Sequence, residues 1–125
     1  MDISTLKPVE TFDYEFVHPV TNEPLGIVWT FQSPNSDAVK AVIRQNADRL
    51  LAKRNKKLTT RELEMNQITQ LAATVTGWNW NGNAFDGVED PPFEQKTVIK
   101  ILDTVDPMFD QASEVVDNLA NFYKN

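Results

Sequence analysis

The side chains of this 125-residue chain that could do chemistry do not fall at the spacings chemistry needs. His18 is the one histidine. Catalysis through it would require a positioned carboxylate or a nucleophile at hand. It stands instead before Pro19, at the end of an alternating segment, the place of a turn residue. Zinc wants several His or Cys ligands. Cysteine is absent, which also excludes disulfides and thiolate chemistry. Asn79, Asn81 and Asn83 have the step of the first ligands of a calcium loop, but no acid occupies those positions. Ala84 stands where the sharp turn needs Gly, and Asp90 where a bidentate Glu is expected. Carboxylates gather at Asp86, Glu89 and Asp90 and again at Asp103, Asp106 and Asp110. A glycosidase-like pair would also need a cleft and one raised pKa. Gly82 and Gly87 are not followed by the Lys-Ser/Thr of a phosphate loop. The expectation is a protein without catalysis, metal or cofactor.

Binding chemistry is better represented. Between Val75 and Phe93 two tryptophans and two phenylalanines (Trp78, Trp80, Phe85, Phe93) fall among turn formers, and a helical pattern stops at Gly77. Loops are normally polar and exposed, so large aromatics in one either fold back on the core or anchor a partner. The chain also carries a net charge of -6, unevenly spread. From Lys40 to Arg61 there are 8 basic residues and 1 acid, a net of +7, which leaves 4 basic and 17 acidic residues elsewhere, a net of -13. The densest run is Lys53, Arg54, Lys56, Lys57 and Arg61. Such a dipolar chain can associate head to tail. The overall acidity disfavours nucleic acid. A helix-turn-helix reading of residues 40 to 61 also meets Glu62 and Glu64 at the start of its second helix, where phosphate would be repelled.

Around these residues the pattern predicts an α+β chain. Phe12, Tyr14 and Phe16 alternate with Asp13 and Glu15, as do Ile27, Trp29 and Phe31 with their neighbours, with turn chemistry from Thr21 to Gly26 between them. This predicts an N-terminal antiparallel β-hairpin. About four α-helices should follow. The first is capped by Asn35 or Ser36, buries Val39, Val42, Ile43, Ala47 and Leu50 with Leu51 widening the face, and ends near Lys53. The second opens on the capping box Thr59–Glu62, buries Leu63, Ile68, Leu71, Ala72 and Val75, and closes on Gly77 as a left-handed cap. A third, starting between Asp90 and Glu94, turns Val98, Ile101, Leu102 and Val105 inward, and Phe93 staples to Val98 if Glu94 is its cap. The last, with Asp106 capping and Pro107 at its first position, runs through Phe109, Ala112, Val115, Val116, Leu119 and Ala120 to Tyr123, with Phe122 and Tyr123 free to reach a neighbour. The length fits one domain over 1–125. No apolar run approaches the ~20 residues of a membrane span. The first residues lack signal-peptide features, so a cytosolic protein is expected.

The ordered set of features resembles the tail assembly chaperones of long, non-contractile-tailed (lambda-like) bacteriophages. It comprises Leu6-Lys7-Pro8, the Phe12 to Phe16 strand, Leu25-Gly26-Ile27, Gly77-Trp78 after a helix, Asp86-Gly87, Pro92-Phe93 before a short helix, Leu102 with Pro107 between helices, and a closing Asn121-Phe122. Glu94 departs from it, standing where a Ser or Thr cap is expected. The resemblance covers nearly the whole chain. It implies a small α+β domain prone to self-association and a non-catalytic, cofactor-free role in the host cytoplasm. There such proteins bind the tape-measure protein, keep it soluble, recruit tail-tube subunits (often through a longer frameshifted form), and leave before the virion is complete. The rival classes are a nucleic-acid-binding regulator using residues 40 to 61 and a structural tail completion protein.

Overall fold

The computed structural model describes residues 2–6, 11–53 and 57–123. Strand β1 (Phe12–Val17) and strand β2 (Pro24–Phe31) form the expected hairpin, in antiparallel register with Phe12 opposite Phe31 and Tyr14 opposite Trp29. His18 serves the turn between them: its Nδ1 accepts the backbone N–H groups of Val20 and Thr21 at 3.1 and 3.3 Å. The alternation sends Phe16, Trp29 and Phe31 to a fully buried face, while Asp13 and Thr30 bond to each other at 2.7 Å on the other.

Helix α1 (Asp37–Ala52) begins where Ser36 Oγ accepts the N–H of Val39 and ends at Lys53. Its covered side is thinner than expected. Val39 and Asn46 are buried, but Ile43, Ala47 and Leu51 are exposed. The apolar stripe is real, yet α1 packs chiefly along α2 and most of its circumference faces water. Helix α2 (Thr60–Ala73) opens on the predicted capping box, with both the Thr59 and the Glu62 side chains bonded to each other's backbone N–H. Leu63 is 49% exposed rather than buried.

The main departure follows α2. The helix stops at Ala73, and Thr74, whose hydroxyl donates to the Leu71 carbonyl, turns the chain. Val75 to Asn79 then form a third strand, β3, antiparallel to β2, with Trp78 opposite Trp29 and Gly77 opposite Thr30. Gly77 is a strand residue without a positive φ, not a helix cap. Val75 satisfies both periodicities, which is why it read as helical. Two short strands, β4 (Ala84–Phe85) and β5 (Val88–Glu89), make a small hairpin. Asp86 and Gly87 between them, at φ 54° and 81°, have the two positive angles that a two-residue hairpin turn of this type requires.

Helix α3 (Gln95–Thr104) follows Glu94, which makes no capping bond. Val98, Ile101 and Leu102 are buried and Val105 packs against the core, as expected. Helix α4 (Asp106–Asp117) has Pro107 in its first turn, but Asp106 is its first residue and provides no cap. The helix stops at Asp117, short of Tyr123, and a 3-10 turn spans Leu119–Phe122. Leu119 and Ala120 are consequently exposed. The architecture is α+β: the hairpin is extended to a sheet of order β1-β2-β3, and the helices cover its aromatic face. Among the described residues no helix is long and apolar enough to cross a membrane.

Candidate partner-binding surfaces

Strand β3 places the aromatic residues where the sheet leaves the core. Trp29, in the middle strand, is fully buried; Trp78 lies beside it at 5.4 Å between ring centroids, half-buried. Trp78 then meets Trp80 at 5.5 Å and Phe93 at 5.2 Å, both edge-on, and Trp80 meets Phe85 at 6.5 Å. Edge-on contact sets the positive rim of one ring against the negative face of the next. The indole N–H of Trp78 donates to the Pro91 carbonyl at 2.9 Å, which ties the strand to the segment before α3. The four aromatics predicted as a group are therefore one connected ladder running from the core to the surface.

Their accessibility differs along it. Trp80 is 4% exposed and belongs to the core, so it reaches the concavity beside Trp78 only at its edge and is not an open anchor. Phe85 is half-buried under Lys100, whose Nζ lies 5.9 Å from the ring centroid and 3.0 Å from Asp86. Phe93, 37% exposed, and Trp78 remain open. With Pro91, Pro92, Asn79 and Asp90 they line an open concavity of 510 Å³. Its asparagine and aspartate side chains are already committed to the loop. Asn79 accepts from the Asn81 N–H at 3.0 Å, and Asp90 accepts from the Gly82 N–H at 2.7 Å. Asn81 and Asn83 donate to the carbonyls of Gly26 and Leu25. The concavity therefore offers aromatic and proline surface on a braced frame. No group of three or more potential metal-ligating side chains occurs among the described residues.

The basic segment is only partly available to a partner. Arg61 forms a two-pronged pair with Asp103, at 2.7 and 2.6 Å, and lies 3.7 Å from Glu64. Lys53 bonds Glu62 at 2.8 Å. The Asp103 and Glu62 carboxyls are held below their ordinary values, first by the side-chain bonds from Arg61 and Lys53 respectively, and Arg61 is raised by its bond to Asp103. Lys57 is exposed, while Arg54, Lys56 and the early Lys7-Pro8 lie outside the described residues. Phe122, expected to be free, is fully buried and meets Phe12 at 6.5 Å. Tyr123 is half-buried, its hydroxyl accepting from Asn35 at 3.3 Å. The early end of α4 explains both: the 3-10 turn folds Phe122 back under the sheet.

The sequence pattern gives no sign of the two glutamines that satisfy backbone groups on the outer strands. Gln111 on α4 accepts from the Val17 N–H and donates to the Val17 carbonyl, at 3.0 and 2.9 Å, and also accepts from the Tyr14 hydroxyl. Gln95 donates to the Val75 carbonyl at 3.2 Å on the opposite edge. Nothing local in the sequence marks these residues. The Asp86-Gly87 pair, by contrast, is a direct hairpin signal. No protein family, curated protein or solved structure compared with this chain matches it.

Proposed function

We propose that this chain is a non-catalytic tail assembly chaperone of a long-tailed bacteriophage, one that holds the tape-measure protein soluble in the host cytoplasm and presents it to tail-tube subunits before leaving. The observation that carries this reading is the ordered set of residues from Phe12 to Phe122 that resembles that family. Two features are compatible with it. The hairpin followed by four helices is the kind of small α+β domain the resemblance implies. The surface also offers an open concavity lined by Trp78, Phe93 and two prolines, the kind of aromatic surface that suits holding a partner. Many weak copies along a rod-shaped client give strong overall retention while each contact stays reversible.

The test is co-expression with the tail proteins of the same genome. The expected result is soluble tape-measure protein carrying several copies of this chain. Tape-measure protein that stays insoluble with both this chain and any longer form would refute the reading. Tight, salt-dependent DNA binding would replace it with a regulator, and presence in purified particles with a structural tail protein.

A further inference from the structure

Two depressions adjoin on the helical side of the molecule and share Gln67 and Phe109. The first, of 370 Å³, lies where α1, α2 and α4 meet, against Val39, Ile43, Leu71 and Val116. The second, of 280 Å³, lies between α2 and the α3–α4 junction, against Ile68 and Leu102. Ile43 is 39% exposed and Phe109 half-buried, so apolar surface along this trough is left to water. Its rim is acidic: Glu64, Asp103 and Asp106 at the second depression and Asp117 at the first. Arg61 answers Asp103 at 2.6 Å and lies near Glu64. Asp106 and Asp117 form no ion pair among the described residues.

An amphipathic helix seats side chains at i, i+3 or i+4, and i+7. Those anchors are spaced by about 5 to 10 Å along its axis, the arrangement two adjoining apolar depressions accept. Acids at the rim favour cations beside the anchors and repel carboxylates there. We propose that this trough docks an amphipathic helix of the client, with apolar anchors in the two depressions and Lys or Arg beside the rim acids Asp106 and Asp117, which Arg61 does not reach. This rests on the chaperone reading for whose helix it is. It also moves the principal client contact from the aromatic concavity to the helical face. The α1 helix of a second copy is a weaker occupant. Its exposed stripe is Ile43, Ala47 and Leu51, and Ile43 already forms part of the trough's own wall. One residue would have to serve both surfaces.

The probes are two labelled 18-residue helical peptides with leucines at i, i+4, i+7 and i+11, one flanked by Lys and one by Glu. Binding to the full chain is read by fluorescence anisotropy. The Lys peptide should bind at least tenfold more tightly than the Glu peptide, and less tightly as salt rises. Ser113→Arg places a long cation in the first depression, and Asp106→Lys reverses the rim. Each should weaken the Lys peptide at least tenfold while far-UV and near-UV circular dichroism stay native. Equal binding of the two peptides, or binding indifferent to both folded variants, overturns the proposal. So does sedimentation showing that Ser113→Arg dissolves a wild-type oligomer while neither peptide binds, which would make the trough a contact between copies. Co-expression separates the two readings. If Ser113→Arg still keeps the tape-measure protein soluble, the trough falls and the chaperone stands. If the peptides behave as expected but the wild type rescues no tail protein, the trough stands and the chaperone falls.

Discussion

Replacing Gln111 with alanine should destabilise the fold by about 2 kcal/mol, because one side chain satisfies both backbone groups at the end of the edge strand and a tyrosine hydroxyl as well. Strand β1 is at the end of the order β1-β2-β3, so Val17 presents its N–H and carbonyl outward. Gln111 meets both, at 3.0 and 2.9 Å, and accepts the Tyr14 hydroxyl at 2.9 Å with the same oxygen that holds the N–H. Burial, followed by the charge of Glu114, raises the Tyr14 phenol above its ordinary value, so it is a donor at neutral pH. Three bonds at about 0.5 to 1.5 kcal/mol each give roughly 1.5 to 4.5. Val17 is only half-buried, so water recovers part of this, and alanine's better helix propensity returns a few tenths on α4. For a chain of this length about 2 kcal/mol lowers the melting temperature by about 8 °C. The opened edge should also promote aggregation on heating, since an uncovered edge pairs with other chains. Gln111→Glu is the sharper control. Its carboxylate keeps the acceptor roles but sets oxygen against the Val17 carbonyl, so at neutral pH it should be destabilised as well. Urea denaturation and thermal circular dichroism measure both variants. A change below about 0.5 kcal/mol for Gln111→Ala, or a Gln111→Glu protein as stable as the wild type at pH 7, would refute the clamp.

Four further perturbations probe other parts of the chain. Thr59→Ala removes the acceptor of the Glu62 N–H and should cost about 1 kcal/mol in urea denaturation; an unchanged midpoint would mean the capping box contributes nothing. Phe93→Ala, at a 37% exposed position, should leave a folded protein. Trp78→Ala, which removes the centre of the ladder and its bond to Pro91, should cost about 3 to 5 kcal/mol; equal losses would contradict the ladder. The lowered Asp103 and Glu62 carboxyls stabilise the fold above their ordinary values of 3.8 and 4.5, and this contribution is lost as pH falls through the lower folded values. The raised Arg61 stays charged throughout this range and adds no acid-side dependence of its own. Asp103→Asn should therefore flatten the fall of the urea midpoint between about pH 5 and 3, and curves that stay parallel to the wild type would count against it.

The features that were legible in the sequence are those whose causes are local. The β1–β2 alternation, the Thr59–Glu62 box, the Ser36 cap and the Pro107 restart each depend on residues within a few positions, and each appears in the structure. The third strand was hidden because α2 runs into it through Thr74 with no Gly or Pro between them. Only the pairing of Gly77 and Trp78 with Thr30 and Trp29, far back in the chain, makes Val75–Asn79 a strand. Burial on α1 misled for a related reason. A stripe of apolar residues states that a helix has a face, not that enough of the chain exists to cover it, and Ile43 and Leu51 stay exposed.

The same distinction decides how the binding surfaces are read. Trp80 and Phe122 looked available because their neighbours in sequence are polar and flexible in type, yet both are packed by residues from other elements. The cations at 53 and 61 looked like an open patch, yet Lys53 and Arg61 are met by Glu62 and Asp103. The trough beside Phe109 had no sequence signature at all, because its walls come from separate helices: Ile43 from α1, Leu71 from α2, Val116 from α4. Each was assigned inward from its own helix, and Leu71 and Val116 are indeed nearly buried. What the helices leave between them is a property of their packing and not of any one stripe. Phe109, expected as one core residue among seven on the last helix, instead stands between two depressions with part of its ring in water. An aromatic in that position costs solvation in the free protein and returns it when the trough is filled. This makes Phe109 the residue on which an occupied and an empty trough should differ most.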